Sequence, residues 1–315
     1  MKALGRELED QPLPVKVTAF LSGLAICESP LIISDDFILR RPTPEDLAEE
    51  VLMDEFGSLS FPQGSIFFDA VGEFSFNAIS QGVAQREFLR TLDALRLFRV
   101  GGIAASRYLM RSSHSFLQGA TGILSEPQRF SRSAYSLSIS DAAILNKFLR
   151  DVVPLLQDPF HSEEGFTETQ IAYVRYRDAL FQHGPSERAI SLAIAALEAL
   201  LLAERSELTH RLAQRVSLLL RIIRTQTNPQ LTYENVKEGY EIRSKFVHGH
   251  SLKPKNRPKA DSLMPTLLEY ARECVLAFFQ LKIPKSLLLS QLDRAMIDPS
   301  ELRAVEESLA PVVHR

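Results

Sequence analysis

Residues 186–203 limit the fold more than any other part of the chain. From Ala189 onward, Ser191 and Glu198 are the sole polar side chains of that stretch. At about 100° per residue, apolar positions then face nearly every side of a helix. Such a helix is stable in water when other helices surround it, so a helical bundle with this segment in its middle is expected. Glu198 is costly in that setting unless it is paired or protonated.

The surrounding pattern agrees. Helices are predicted at about 167–182, 186–204, 207–224, 231–248 and 261–281, with a shorter one after Pro299. The connections are short and carry Gly184-Pro185, Asn228-Pro229 and Gly249 followed by a Lys/Pro loop. Short loops make sequential helices antiparallel neighbours.

Before residues 157–165 the signals are different. Val15-Lys16-Val17-Thr18-Ala19-Phe20 alternates as a strand, and Leu31-Ile32-Ile33 and Phe37-Ile38-Leu39 flank the turn-like Ser34-Asp35-Asp36. Thr43-Pro44-Glu45-Asp46 opens a helix with a capping residue, a proline and two acids. Residues 65–76 read as a hairpin hinged near Gly72, and 85–100 as a helix stopped by Gly101-Gly102. Tyr135 to Ile139 reads as a strand, after which Ser140 caps a helix to about Leu156. The expected fold is therefore α+β with two domains: a mixed, strand-rich domain over 1–158 and an all-α antiparallel bundle over 159–315.

With 45% hydrophobic and 24% charged residues, the 315-residue chain has enough apolar surface to order most of its length. Cys27 and Cys274 lie far apart without CxxC spacing, against a disulfide framework or a thiolate metal site and in favour of a reducing cytoplasm. Residues 1–13 are polar and proline-bearing, unlike a secretory signal, and no apolar run is long enough for a bilayer, so no membrane partner is expected.

The chemistry gathers at the end of the fourth bundle helix, Tyr240-Glu241-Ile242-Arg243-Ser244-Lys245-Phe246-Val247-His248-Gly249. Val236, Tyr240, Ile242, Phe246 and Val247 sweep one broad apolar arc, and Arg243 falls inside it. An arginine there must be paired or must face a second surface such as a partner subunit. His248 lies about 140° round from Arg243 in the last turn before Gly249. Two accounts stay open: Arg243 pairs with Glu198 in the core while His248 merely ends the helix, or both residues serve a reaction.

Arg243-Ser244-Lys245-Phe246-Val247-His248 resembles the Arg-x4-His motif of the HEPN ribonuclease superfamily. Together with Ala196-Leu197-Glu198-Ala199-Leu200-Leu201 and His210-Arg211-Leu212-Ala213-Gln214-Arg215-Val216, it is similar to the ApeA-like branch over about residues 167–283. The resemblance implies a metal-independent endoribonuclease without a cofactor, a toxin or antiviral defence effector, acting as a homodimer whose two motifs form one cleft. It assigns proton transfer to His248 and the scissile phosphate to Arg243. Tyr240 and Ser244 share the His248 stripe at i+4 spacing and would orient substrate or imidazole. Relatives often carry a more strongly polar residue where Ser244 stands. Gly249 and Glu198 would support the site, Glu198 as a partner of Arg215 or Arg243. The N-terminal domain would sense an unknown ligand or regulator.

The distribution of charge fits an RNA partner. The chain carries −3 overall, yet residues 205–260 hold twelve Lys or Arg against four Glu, a net +8 that leaves −11 for the remainder. Lys253, Lys255 and Arg257 follow His248 in a proline-stiffened loop, and Lys245, Arg211 and Arg215 lie nearby in sequence or on the preceding helix. These six are the candidate RNA contacts, with solvated connectors and helix flanks as the plainer alternative. The acidic remainder could compete with RNA for the basic stretch. His248-Gly249-His250 lacks a nearby third ligand for a metal.

Overall fold

A computed structural model describes residues 11–46, 68–112, 120–123, 134–156, 166–203, 208–224, 227–250 and 252–309. The chain divides into two compact units, Met1–Asp158 and Pro159–Arg315. The first carries an antiparallel sheet and the second is helical, an α+β arrangement.

In the first unit, β1 (Leu13–Ser22), β3 (Leu31–Ser34), β4 (Phe37–Arg40), β5 (Ala70–Ala78), β6 (Ala104–Ser112) and β7 (Ala120–Ile123) form one sheet in the order β3-β4-β5-β1-β6-β7. Every neighbouring pair is antiparallel. β2 (Leu24–Ile26) and β8 (Tyr135–Leu137) make a separate parallel pair. The alternation in β1 has a physical consequence: Val15, Val17, Ala19 and Leu21 are fully buried, while Pro14 and Lys16 are exposed. Helices α1 (Gln81–Phe98) and α2 (Ile139–Val152) contribute Phe88, Leu92, Leu95 and Leu145 to the same core.

Three local expectations shift here. No hinge forms at Gly72, which lies inside continuous β5 and pairs with Ala19. A Cβ there would meet the Phe74 ring at 2.7 Å. The expected hairpin's first three residues, 65–67, lie outside the described residues. Helix α1 starts earlier than the periodicity indicates, because the Ser80 side chain accepts a hydrogen bond from the Val83 N–H. Helix α2 begins at Ile139 rather than after Ser140, because the Asp141 carboxylate accepts the Ser138 N–H at 2.9 Å and holds the first turn there. Pro44–Asp46 is helical, and its continuation lies outside the described residues.

The second unit contains α3 (Glu168–Leu180), α4 (Ser186–Leu201), α5 (Leu208–Ile223), α6 (Pro229–Val247), α7 (Arg257–Gln280), α8 (Lys285–Ala295) and α9 (Pro299–Leu309). Helix α4 packs against α3, α6 and α7, and Ala193, Ile194, Ala196, Leu197, Leu200 and Leu201 are all fully buried. Helix α8 has no counterpart in the sequence expectation: it is short, and its apolar face rests on a few leucines, Leu288, Leu289 and Leu292. Helix α7 begins four residues before its predicted start. Pro258 sits in its first turn, where a missing N–H costs no helical hydrogen bond.

Candidate functional site

Helix α6 carries the motif, and its two ends are set by local chemistry. At the start, Asn228 Oδ1 accepts the N–H groups of Gln230 and Leu231 at 3.0 and 3.2 Å, and Pro229 follows at the first position. At the end, Gly249 adopts φ +79°, a left-handed conformation that a side chain would oppose. The Gly249 N–H then donates to Phe246 O at 3.0 Å and the His250 N–H to Lys245 O at 2.9 Å. This paired closure leaves His248 at the helix boundary with its side chain exposed.

Between those ends, Gly239 is buried where α6 approaches α4 and α7. A Cβ on Gly239 would lie 2.6 Å from Leu267 Cδ1 and 3.0 Å from Ile194 Cδ1. The absence of a side chain lets the helices close at this level. One turn further along both α4 and α6, Glu198 faces Arg243. The residue pairs 194/239 and 198/243 show that these two helices run in the same direction.

Arg243 Nη2 lies 3.0 Å from Glu198 Oε2, with the two side chains 28% and 16% exposed. The Arg243 guanidinium also lies 5.7 Å from the centre of the Tyr240 ring, within cation–π range. Burial pushes the Glu198 carboxyl above its ordinary value, and Arg243 and then Arg175 pull it back part of the way. Burial raises the Tyr240 hydroxyl as well, Glu198 adds to that shift, and Arg243 opposes it.

Arg175 is the member of this cluster that sequence reasoning missed. It stands on α3 and donates from Nη1 to Ala195 O of α4 at 2.8 Å, three residues before Glu198. Its signal is faint. Helix α3 holds both Arg175 and Arg177, and its apolar face is too broken to tell which of them points at α4.

The remaining predicted residues separate into two groups. Lys245, His248, Lys253, Lys255 and Arg257 are exposed, and Ser244 is half-buried on the same side of α6. The basic stretch is partly helical: Pro254–Asn256 forms a 3₁₀ turn and Arg257 begins α7, whose first turn carries no acidic residue. Lys259 is engaged by Glu238 at 2.6 Å. Val247, placed in the apolar arc by periodicity, is 61% exposed, because α6 turns that edge to solvent.

Arg215 differs from its expected role as an RNA contact. It is 1% exposed, and Nε and Nη2 donate to the two carboxylate oxygens of Asp293 at 2.8 and 2.7 Å. Nη1 donates to Leu201 O at 2.7 Å. The guanidinium ties α5 to α8 and to the end of α4, which leaves Arg243 as the cation paired with Glu198. Arg211, one turn earlier, is half-buried.

Among the described residues no group of three or more His, Cys, Asp or Glu is placed to hold a metal ion. No described helix is long and apolar enough to cross a membrane. Comparison with protein-family models, with curated proteins and with solved structures returns no match.

Proposed function

We propose that the helical unit, residues 159–315, is a HEPN-type bundle and that the chain is a metal-independent endoribonuclease, working as a homodimer in toxin-like or antiviral defence. The observation that carries this reading is the exposed His248 at the end of α6. A half-exposed Arg243 stands in the turn before it, and the exposed cations Lys253, Lys255 and Arg257 follow it. A scaffold needs neither an exposed imidazole at that point nor a basic run beside it.

RNA cleavage by its own 2′-hydroxyl requires three things: a base for that hydroxyl, an acid for the departing 5′-oxygen, and positive charge on the phosphorane. One protomer offers one His248, whereas a two-fold pair offers two histidines and two arginines. In this reading His248 moves the protons and Arg243 binds the scissile phosphate. Lys245 and the 253–257 stretch hold flanking phosphates. Tyr240 and Ser244 orient the site, and the N-terminal sheet unit acts as a sensor or restraint.

One observation favours a second reading, a non-catalytic dimerisation or nucleotide-binding module: Arg243 is already paired with Glu198. The two are separated by incubating wild type, Arg243→Ala and His248→Ala with a mixed RNA pool in EDTA, with oligomeric state measured alongside. The nuclease reading expects cleavage by wild type and losses of about 10²- to 10⁴-fold in both variants without loss of dimer. No cutting by wild type, or equal cutting by His248→Ala, overturns it.

A further inference from the structure

Two arginines of the bundle pair with carboxylates in very different ways. Arg215 is held by two parallel hydrogen bonds to Asp293 and a third to a backbone carbonyl, with 1% of its surface exposed. Arg243 meets Glu198 at a 3.0 Å approach and keeps 28% of its side chain at the surface. A solvent-reachable guanidinium has donors left for a second anion, and a partly exposed ion pair is weak enough to be exchanged. The carboxylate of Glu198 is the less accessible partner, at 16%, so it cannot simply retreat into water when Arg243 is taken. A second cation already acts on it: Arg175, anchored to α4 through Ala195 O three residues away.

We propose that Glu198 is a built-in competitor for the phosphodiester, occupying Arg243 in the resting protein, and that Arg175 takes over the carboxylate once RNA claims Arg243. The inference rests on the reading of Arg243 as a phosphate-binding residue and adds its regulation. Arg175 and Glu198 are then positioning residues, and their effects on RNA affinity have opposite signs. Removing the carboxylate frees Arg243, whereas removing Arg175 strands the carboxylate and strengthens its hold on Arg243.

The test uses the full chain and a 2′-O-methyl RNA oligonucleotide, which lacks the attacking hydroxyl, so that binding is read apart from cleavage. Fluorescence anisotropy should show Glu198→Gln binding about 3- to 5-fold tighter than wild type and Arg175→Gln binding weaker by a similar factor. Arg175→Lys should restore most of the loss. The double variant should bind like Glu198→Gln alone, because Arg175 acts through the carboxylate. A purely structural role would move both single variants the same way. Weaker or unchanged binding by Glu198→Gln overturns the proposal, as does an Arg175→Gln loss that persists in the double variant, or an absence of binding throughout. If Glu198→Gln does not fold, unchanged affinity in Arg175→Gln overturns it. The expected pattern without cleavage of unmodified RNA keeps this proposal and removes the nuclease reading.

Discussion

Arg215 and Asp293 join α5 to α8 through two parallel hydrogen bonds of 2.8 and 2.7 Å, the strongest geometry available to an arginine and a carboxylate. The pair is asymmetric in burial, with Arg215 1% and Asp293 37% exposed. Arg215→Ala leaves Leu201 O without its donor and opens a void where a side chain 1% exposed had stood. It should cost about 3–5 kcal/mol. Asp293→Asn keeps one acceptor and creates no void, but it leaves the buried guanidinium without its counter-charge and should cost about 3 kcal/mol. Urea unfolding of both variants reads the difference. A stable Arg215→Ala with weakened RNA binding would return this residue to the surface role that the sequence indicates.

That misplacement shows what periodicity can and cannot convey. The apolar run of α4 marks the centre of the bundle without any structure, because no solvent-facing side exists along it. Arg215 lies one turn after Arg211 on α5, and helical spacing gives both the same angular position. What distinguishes them is Asp293, on a helix that the sequence signals only weakly and 78 residues away. Arg175 escapes notice for a related reason: its partner, Ala195 O, is a backbone atom with no residue-type signature. By contrast, the ends of α6 are legible, because Asn228-Pro229 and Gly249 act locally on their own backbone.

The raised Glu198 carboxyl has a consequence for stability. A carboxyl whose folded value lies above its unfolded value favours the fold when protonated, and that contribution is lost as pH rises through the folded value. The ionised form is thus a net burden despite Arg243. Glu198→Gln should match or exceed wild type in thermal midpoint at pH 7.5, by the equivalent of less than about 1 kcal/mol, because Arg243 can turn its exposed face to water. The advantage should vanish near pH 4, where Glu198 itself is protonated. Scanning calorimetry at both pH values checks the sign. A large loss at pH 7.5 would mean that the ion pair outweighs burial.

Gly249 offers a cleaner test of backbone geometry, because nothing lies within 4 Å of the position a Cβ would take. Any cost of Gly249→Ala comes from the φ of +79° rather than from crowding. It should be about 1 kcal/mol, and Gly249→Asn should recover roughly half, since asparagine enters this conformation more readily. Chemical denaturation of the two variants measures the ordering. If alanine and asparagine cost the same, the helix ends in another conformation in solution, and His248 is presented differently.

In the N-terminal unit, acid sensitivity should concentrate at Asp46. Its carboxylate accepts hydrogen bonds from both terminal nitrogens of Arg40 at 2.5 and 2.8 Å and from the Thr43 N–H at 2.7 Å. The Arg40 hydrogen bonds hold Asp46 down to about 2, against the opposing effect of burial. A depressed folded value means stability that is complete above the unfolded value near 3.8 and is lost as pH falls from there toward 2. Glu73 also pairs with Arg40, so the guanidinium is not left alone when Asp46 is protonated or replaced. Asp46→Asn should therefore cost about 1–2 kcal/mol at pH 7 and only a small part of that near pH 2. Urea midpoints for wild type and variant at pH 7, 4, 3 and 2.5 should converge over that window. A gap that persists unchanged at pH 2.5 would assign the loss to packing rather than to the charge of Asp46.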